Sequence, residues 1–374
     1  MPKSRLDAGA ISAGVSGPDR QFSEERGRLM RRALHRRNTL RWLANLTLGE
    51  GSGMEINVST LEGFDELPLV IQPAGSGRCS AEDLVDFISD RSDWLKSTLH
   101  RHGGVLFRGF TIREIDEFQR VSQAAVPELK PYVEGQSPRT KVADNVYTST
   151  EFPPQYRITL HNELSYAKSP PKRIIFHCHI QPVDRGETPI VDCRKVYQKM
   201  DRELRDRFER LGVKYVKTMH GQERGLGKSW MDHFETNDRS VVEEYLHEND
   251  IEYEWSAIGT LRTWSIRPSV QRHPLTGEMH WFNQANLWHV TNLDERHRRP
   301  LLDRCGIDNL PTHAFYGDGS TIPDEDLDRV REVLWNESVI FPWLQGDVLV
   351  LDNHLVAHGR NAYSGPRKIL VAMG

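Results

Sequence analysis

The sequence predicts a mainly β protein: an antiparallel core, closed or built of two sheets, with helices packed outside it. Three observations predict this class. Short apolar runs separated by turn residues crowd the chain after Ile158, they fall into two clusters, and the stretch between the clusters carries helical periodicity. A length of 374 residues supplies ample apolar material for a large core and leaves the domain count open.

Taken in order, Met1 to about Asp19 is small and polar, with no apolar pattern to bury, and is expected to be disordered. Phe22 to Leu48 reads as a basic helix, its arginines (Arg26, Arg28, Arg31, Arg32, Arg36, Arg37, Arg41) interrupted by Leu29, Met30, Leu34, Leu40 and Leu43. It would either dock an acidic partner or, the better-supported reading, lie solvated against the body. Residues 1–52 are thus an N-terminal extension and residues 53–374 the body. Leu67–Gln72 reads as a strand and Ala81–His102 as a helix with Leu84, Phe87, Ile88, Trp94, Leu95 and Leu99 on one face. Gly103–Phe110 reads as a buried strand between glycines, and Ile115–Ala125 as a further helix. The first strand cluster is Arg157–Leu160, Arg173–Ile180 and Thr188–Val191; helices follow at Arg194–Leu211 and Ser240–Asn249. Leu261–Ile266, His280–Asn283, Val339–Phe341, Asp347–Asp352 and Arg367–Met373 form the second.

Composition excludes several classes. A net charge of -4 gives no global attraction to nucleic acid or acidic membranes. Cys79, Cys178, Cys193 and Cys305 are scattered without a CxxC or framework spacing, which suits a reducing compartment rather than a disulfide-stapled secreted domain. No apolar run approaches the roughly 20 residues of a membrane span, and the N-terminus lacks a signal-peptide core. The expectation is a cytoplasmic protein with neither a nucleic-acid nor a membrane partner.

The chemistry centres on His161-Asn162-Glu163, directly after the apolar run Ile158–Leu160. Residues two apart on an extended chain point to the same side, so an imidazole and a carboxylate there can share one cation. Far downstream, the strand ending at Asp352 leads into Asn353-His354-Leu-Val-Ala-His358. His358 would complete two histidines and one carboxylate, a set that occupies one face of an octahedral metal and leaves the rest open, as non-haem Fe(II) oxygen chemistry requires. Alone, an HxE is weak, because a surface histidine beside a salt-bridged glutamate is the plainer explanation.

The surrounding motifs raise it. His161-Asn-Glu-Leu-Ser-Tyr166, Pro170-Pro171, Gly186-Glu-Thr-Pro-Ile-Val-Asp192, Asp352-Asn353 before Ala357-His-Gly-Arg360, and Gly365-Pro-Arg-Lys-Ile-Leu-Val371 stand in an order that resembles the taurine dioxygenase/TfdA-like superfamily, from about Leu69 to the C-terminus. Glutamate where aspartate is commoner resembles its clavaminate-synthase-like and SyrP-like branches. The resemblance implies a double-stranded β-helix (jelly-roll) core, Fe(II), and 2-oxoglutarate and O₂ as cosubstrates. It implies His161, Glu163 and His358 as iron ligands, Thr188 as a hydrogen-bond donor to 2-oxoglutarate, and Arg367 as the partner of its remote carboxylate. A guanidinium matches a carboxylate bidentately; a one-residue slip would put Lys368 there instead. His354 is the competing histidine for His358. Asn283 resembles a segment near the substrate cavity or merely caps a turn, and Arg360 either meets a substrate carboxylate or braces the metal loop. Tyr147–Glu151 falls where relatives carry a mobile lid. His102, His177, His179, His220 and His289 have no persuasive metal partner.

The resemblance further implies oxidative decarboxylation to succinate and CO₂ coupled to attack on an unactivated C–H bond. Hydroxylation is the default, with desaturation or cyclisation open. The substrate class it suggests is an amino acid or aminoacyl derivative, free or presented on a carrier protein, in specialised biosynthesis. Two other classes stand against it: a zinc hydrolase using the same ligands, which would have no use for Arg367, and a non-catalytic β-barrel binding protein.

Overall fold

The computed structural model describes residues 40–44, 54–61, 66–75, 79–132, 139–221 and 226–374. In spatial order its main sheet runs Leu40–Ala44, Ile56–Leu61, Leu69–Pro73, Gly104–Phe107, Val348–Asp352, Arg173–Ile180, Lys368–Met373, Val146–Thr148 and Lys141–Ala143. Only Leu69–Pro73 and Gly104–Phe107 pair in parallel; their neighbours are antiparallel. A three-stranded sheet of Ile190–Asp192, Val356–Arg360 and Ile158–His161 lies across one shared core. Ile174, Phe176, Leu349, Leu351, Ile369 and Val371 enter that core from the main sheet; Leu160, Ile190, Val191 and Val356 enter it from the small one.

Alternate residues of the same central strands (Ile175, Val348, Val350, Leu370, Ala372) point into a second core with Leu84, Phe87, Leu95, Leu99, Phe118 and Val121. Those side chains come from the helices Ala81–Asp90, Ser92–His102 and Ile115–Ala125. Burial on both faces is why Val348–Asp352 reads as a continuous apolar run rather than an alternating one. The layers are helix, main sheet, core and small sheet, a jelly-roll arrangement of mixed helix and strand rather than mainly strand.

Several elements depart from the sequence reading. Most of the expected basic helix over 22–48 lies outside the described residues, but Leu40–Ala44 is a strand on Ile56–Leu61. An otherwise open sheet edge overrides a weak local propensity there. The long helix over 81–102 breaks at Arg91, whose ψ of 33° is not helical, and Ser92 starts a new one. The helix expected over 194–211 also divides, because the side chain of Asp201 accepts from the Leu204 amide and caps a second helix, Arg202–Leu211. Val339 makes only an isolated bridge to Ile190; Pro342, shortly after, cannot donate to a ladder. Among the elements not foreseen are the strands Val213–Met219 and Thr312–Tyr316 and the helices Glu295–Cys305 and Asp324–Asn336. The two strands join Leu261–Arg267 and Glu252–Trp255 in a four-stranded sheet, which takes Leu261–Arg267 out of the expected second cluster and lies in the chain between Ile190–Asp192 and Val348–Asp352. Among the described residues no helix is long and apolar enough to cross a membrane.

Candidate metal centre and cosubstrate site

Antiparallel pairing brings the two histidines together. His161 and His358 are register partners on adjacent strands of the small sheet, with ring centroids 4.6 Å apart. The close approach depends on Gly359, where a Cβ would sit 2.6 Å from the Ile158 carbonyl oxygen. Glu163 lies beyond the strand end, in a turn where Leu164 has φ +52°, rather than on an extended run. Asn353 fixes that turn: its Oδ1 accepts from the Glu163 amide at 2.8 Å, while Nδ2 donates to the carbonyl oxygens of Glu163 (2.9 Å) and Pro171 (2.8 Å). Asn162 in turn donates to the Asn353 carbonyl at 2.7 Å. One ligand atom each from His161, Glu163 and His358 falls within a 4.8 Å cluster.

Lone-pair direction decides whether such a cluster can hold a metal. The Nδ1 of His161 lies 2.8 Å from the Thr159 carbonyl oxygen, which has no proton to offer, so Nδ1 carries the hydrogen and Nε2 is left as a lone pair. Burial and then the neighbouring His358 hold the His161 imidazole neutral, with its pKa lowered to about 4. Burial opposes ionisation of Glu163, but Arg139 and the two imidazoles outweigh it and hold the carboxyl well below the usual range. His358 Nε2 lies 3.7 Å from Glu163 Oε2, beyond hydrogen-bond range. Two imidazoles and one carboxylate are a donor set that fits Fe(II).

Thr188 and Arg367 meet at one segment. Arg367 Nε donates to the Gly186 carbonyl at 2.8 Å, and Thr188 is buried two residues on, its Oγ1 accepting from Trp343 Nε1 at 3.0 Å. Having accepted, the threonine hydroxyl keeps its own hydrogen to donate. Among the described residues Arg367 has no carboxylate in salt-bridge range; burial, and then Arg360, lower its pKa to about 10. A part-buried guanidinium without an anion fits a bound dicarboxylate. Ile369 and Val371 share the inner core, and Leu370 faces the helices, so the strand alternates as the register through Arg367 requires.

The remaining singled-out residues are structural. Arg360 donates to the carbonyls of Phe152 (2.8 Å), Pro153 (2.8 Å) and Tyr156 (2.9 Å), bracing the loop before the metal strand. Asn283 caps a turn, accepting from the Ala285 amide at 3.0 Å. His354 is outside the cluster and stacks on Phe282 at 4.5 Å. His177 stacks on Phe118, and His102 meets the Glu66 carbonyl oxygen. Thr148 and Glu151 lie beside Thr140.

Two features were missed. Arg139 pairs with Glu163 at 2.8 Å and lies over the Tyr132 ring at 4.0 Å; an arginine in a polar stretch carries no motif. His100, His273 and Asp352 form a second cluster of potential ligand atoms. There, however, His273 Nδ1 accepts from the Thr276 amide at 3.1 Å, so Nε2 holds the proton and points it at Asp352, 3.4 Å away. The lone pair a metal would need is already used.

Fold and chemistry together define a non-haem Fe(II)- and 2-oxoglutarate-dependent dioxygenase. The family model "Taurine catabolism dioxygenase TauD, TfdA family" matches residues 70–373, and the chain belongs to that family. It is 40% identical over 275 residues to the dapdiamide synthesis protein DdaC of Enterobacter agglomerans, covering 74% of this chain and 83% of the relative. A clavaminate synthase-like protein of Arabidopsis thaliana is 32% identical over 294 residues, covering 76% and 86%. Among solved structures, PvcB of Pseudomonas aeruginosa is similar with a TM-score of 0.48 at 16% identity, over 88% of this chain and 94% of that one.

Proposed function

We propose that His161, Glu163 and His358 hold the iron, and that Thr188 and Arg367 hold 2-oxoglutarate, for hydroxylation of an unactivated C–H bond in an amino acid or aminoacyl substrate. The observation that carries this reading is the pairing of a three-donor cluster, its imidazole lone pair directed by Thr159, with a part-buried Arg367 that has no anion among the described residues. Iron with 2-oxoglutarate and O₂ supplies the oxidising power, releasing succinate and CO₂. The protein's part is placement. Asn353 sets the Glu163 carboxylate, Thr159 sets the His161 ring, and Trp343 sets the Thr188 hydroxyl toward a carboxylate. No protein acid or base is required.

The amino-acid class is supported by the similarity to a dapdiamide synthesis protein and a clavaminate synthase-like protein, whose names place them near specialised amino-acid chemistry. Residues 53–374 are the catalytic unit in this reading and 1–52 an extension. Anaerobic titration with Fe(II) and 2-oxoglutarate should raise a weak visible charge-transfer band. A zinc hydrolase or a metal-free binding protein would give none, and its absence would sink the assignment.

A further inference from the structure

Arg139 is a buried cation with more donors than partners. Its side chain is 5% exposed, its Nη2 donates to Glu163 Oε2 at 2.8 Å, and its guanidinium lies 4.0 Å from the centre of the Tyr132 ring. Nε and Nη1 are both buried and have no hydrogen-bond partner among the described residues. Unmade hydrogen bonds on a buried guanidinium are costly, and among the described residues one carboxylate, that of Glu163, balances the positive charge. That carboxylate belongs to the metal cluster. Once its charge is shared with a cation, Arg139 is left under-neutralised beside the reacting centre. Tyr166, adjacent enough to act on Arg139 electrostatically, packs on Trp288 at 4.8 Å, so the surroundings are otherwise aromatic. Nε and Nη1 face different sides of the guanidinium, so a carboxylate would meet one of them together with the second hydrogen of Nη2, the first being given to Glu163.

We propose that Arg139 receives a carboxylate of the primary substrate, so that the enzyme acts on molecules that carry a free carboxylate. This rests on the amino-acid reading above. The carboxylate can be the α-carboxylate of a free amino acid or the side-chain carboxylate of an acidic aminoacyl thioester, and the two are separable.

The test is perturbation of the anaerobic Fe(II)/2-oxoglutarate charge-transfer band, a binding readout that needs no turnover. The probes are the twenty amino acids, their primary amides, and N-acetylcysteamine thioesters of alanine, aspartate and glutamate. At least one acid should bind more than about tenfold more tightly than its amide. In Arg139→Gln that preference should fall below about threefold, and Arg139→Lys should recover part of it. A response to free neutral acids identifies the α-carboxylate. A response to the aspartyl or glutamyl thioester alone identifies the side-chain carboxylate.

Amides or the alanyl thioester binding as well as the acids would overturn the inference and leave the amino-acid reading standing, whereas silence from every probe would overturn both. A loss of 2-oxoglutarate affinity of about tenfold or more in Arg139→Gln would also overturn it, by assigning the guanidinium to the cosubstrate. If Arg139→Gln fails to fold, Arg139→Lys decides: a point charge cannot reproduce the fork, so an unchanged acid-to-amide ratio there overturns the inference too.

Discussion

Two groups of histidine and carboxylate each draw one member from the same short stretch of chain, and only one of them is suited to a metal. His358 belongs to the first group and Asp352, six residues earlier, to the second with His100 and His273. Both groups bring three potential ligand atoms within 4.8 Å. In the first, a backbone carbonyl takes the Nδ1 hydrogen of His161 and leaves Nε2 bare; in the second, a backbone amide occupies His273 Nδ1 and fills Nε2 with a proton. Proximity of ligand types is therefore a poor guide on its own. The hydrogen bond on the far side of each ring decides.

The sharpest way to break this contrast is to remove one histidine from each group. His161→Ala or His358→Ala should abolish tight Fe(II) binding and all turnover, while His273→Gln should leave one iron per chain, as read by metal analysis of the purified protein. Iron retained in His358→Ala, or lost in His273→Gln, would reverse the assignment. Glu163→Ala should likewise end hydroxylation, since Glu163 is the anionic member.

Next in size is the cosubstrate. Removing a desolvated charge partner costs about 2–5 kcal/mol, so Arg367→Ala should raise the 2-oxoglutarate requirement well over roughly tenfold with Fe(II) affinity little changed. Lys368→Ala should do neither, and the opposite pattern in a 2-oxoglutarate titration would place the strand one residue out of register.

Acid should act on the histidines that bind no metal. Burial lowers His177, His280 and His313 to about 4. In the unfolded chain they take up protons near the ordinary value of about 6.5. Between these values the unfolded state binds more protons, so the contribution to stability is complete above about pH 6.5 and is lost as pH falls through about 4. Denaturant midpoints should drop between pH 7 and 5, and His280→Gln should flatten the drop; an unaltered slope would show that another group is responsible. The smallest effect is expected at the N-terminal segment, whose sequence has no apolar pattern to bury: deleting residues 1–20 should leave Fe(II) and 2-oxoglutarate binding unchanged, and loss of folding would move the boundary of the catalytic unit.

The metal cluster and the central strands were legible because local pattern and long-range pairing agree there. Ile158–Thr-Leu-His161 and Val356–Arg360 are strong strand sequences, the first ending on His161 and the second carrying His358 at its centre. The inserted sheet was harder to see. Val213–Met219 mixes Lys214, Lys217 and Thr218 with its apolar residues, and it becomes a strand through its partners on both sides. Arg139 was invisible for a different reason: its significance is a missing partner, which only three-dimensional placement exposes. The second histidine cluster was unreadable because His100, His273 and Asp352 share no motif and the tautomer that disarms them depends on a turn amide.

The Asn353 clamp has a consequence for how such an enzyme can diversify. Its side chain bonds the Glu163 backbone across 190 residues of sequence, so the iron-binding ring is shut locally by a contact between its two ends. The segment between, including the four-stranded sheet, is strung on a ring that is already closed. Reshaping that loop of chain, which reaches the candidate cluster's neighbours Tyr166 and Asn162 through Arg267 and Gln284, would alter the cluster's surroundings without reopening the Asn353 contact, which makes the insert a natural place for new specificity to arise.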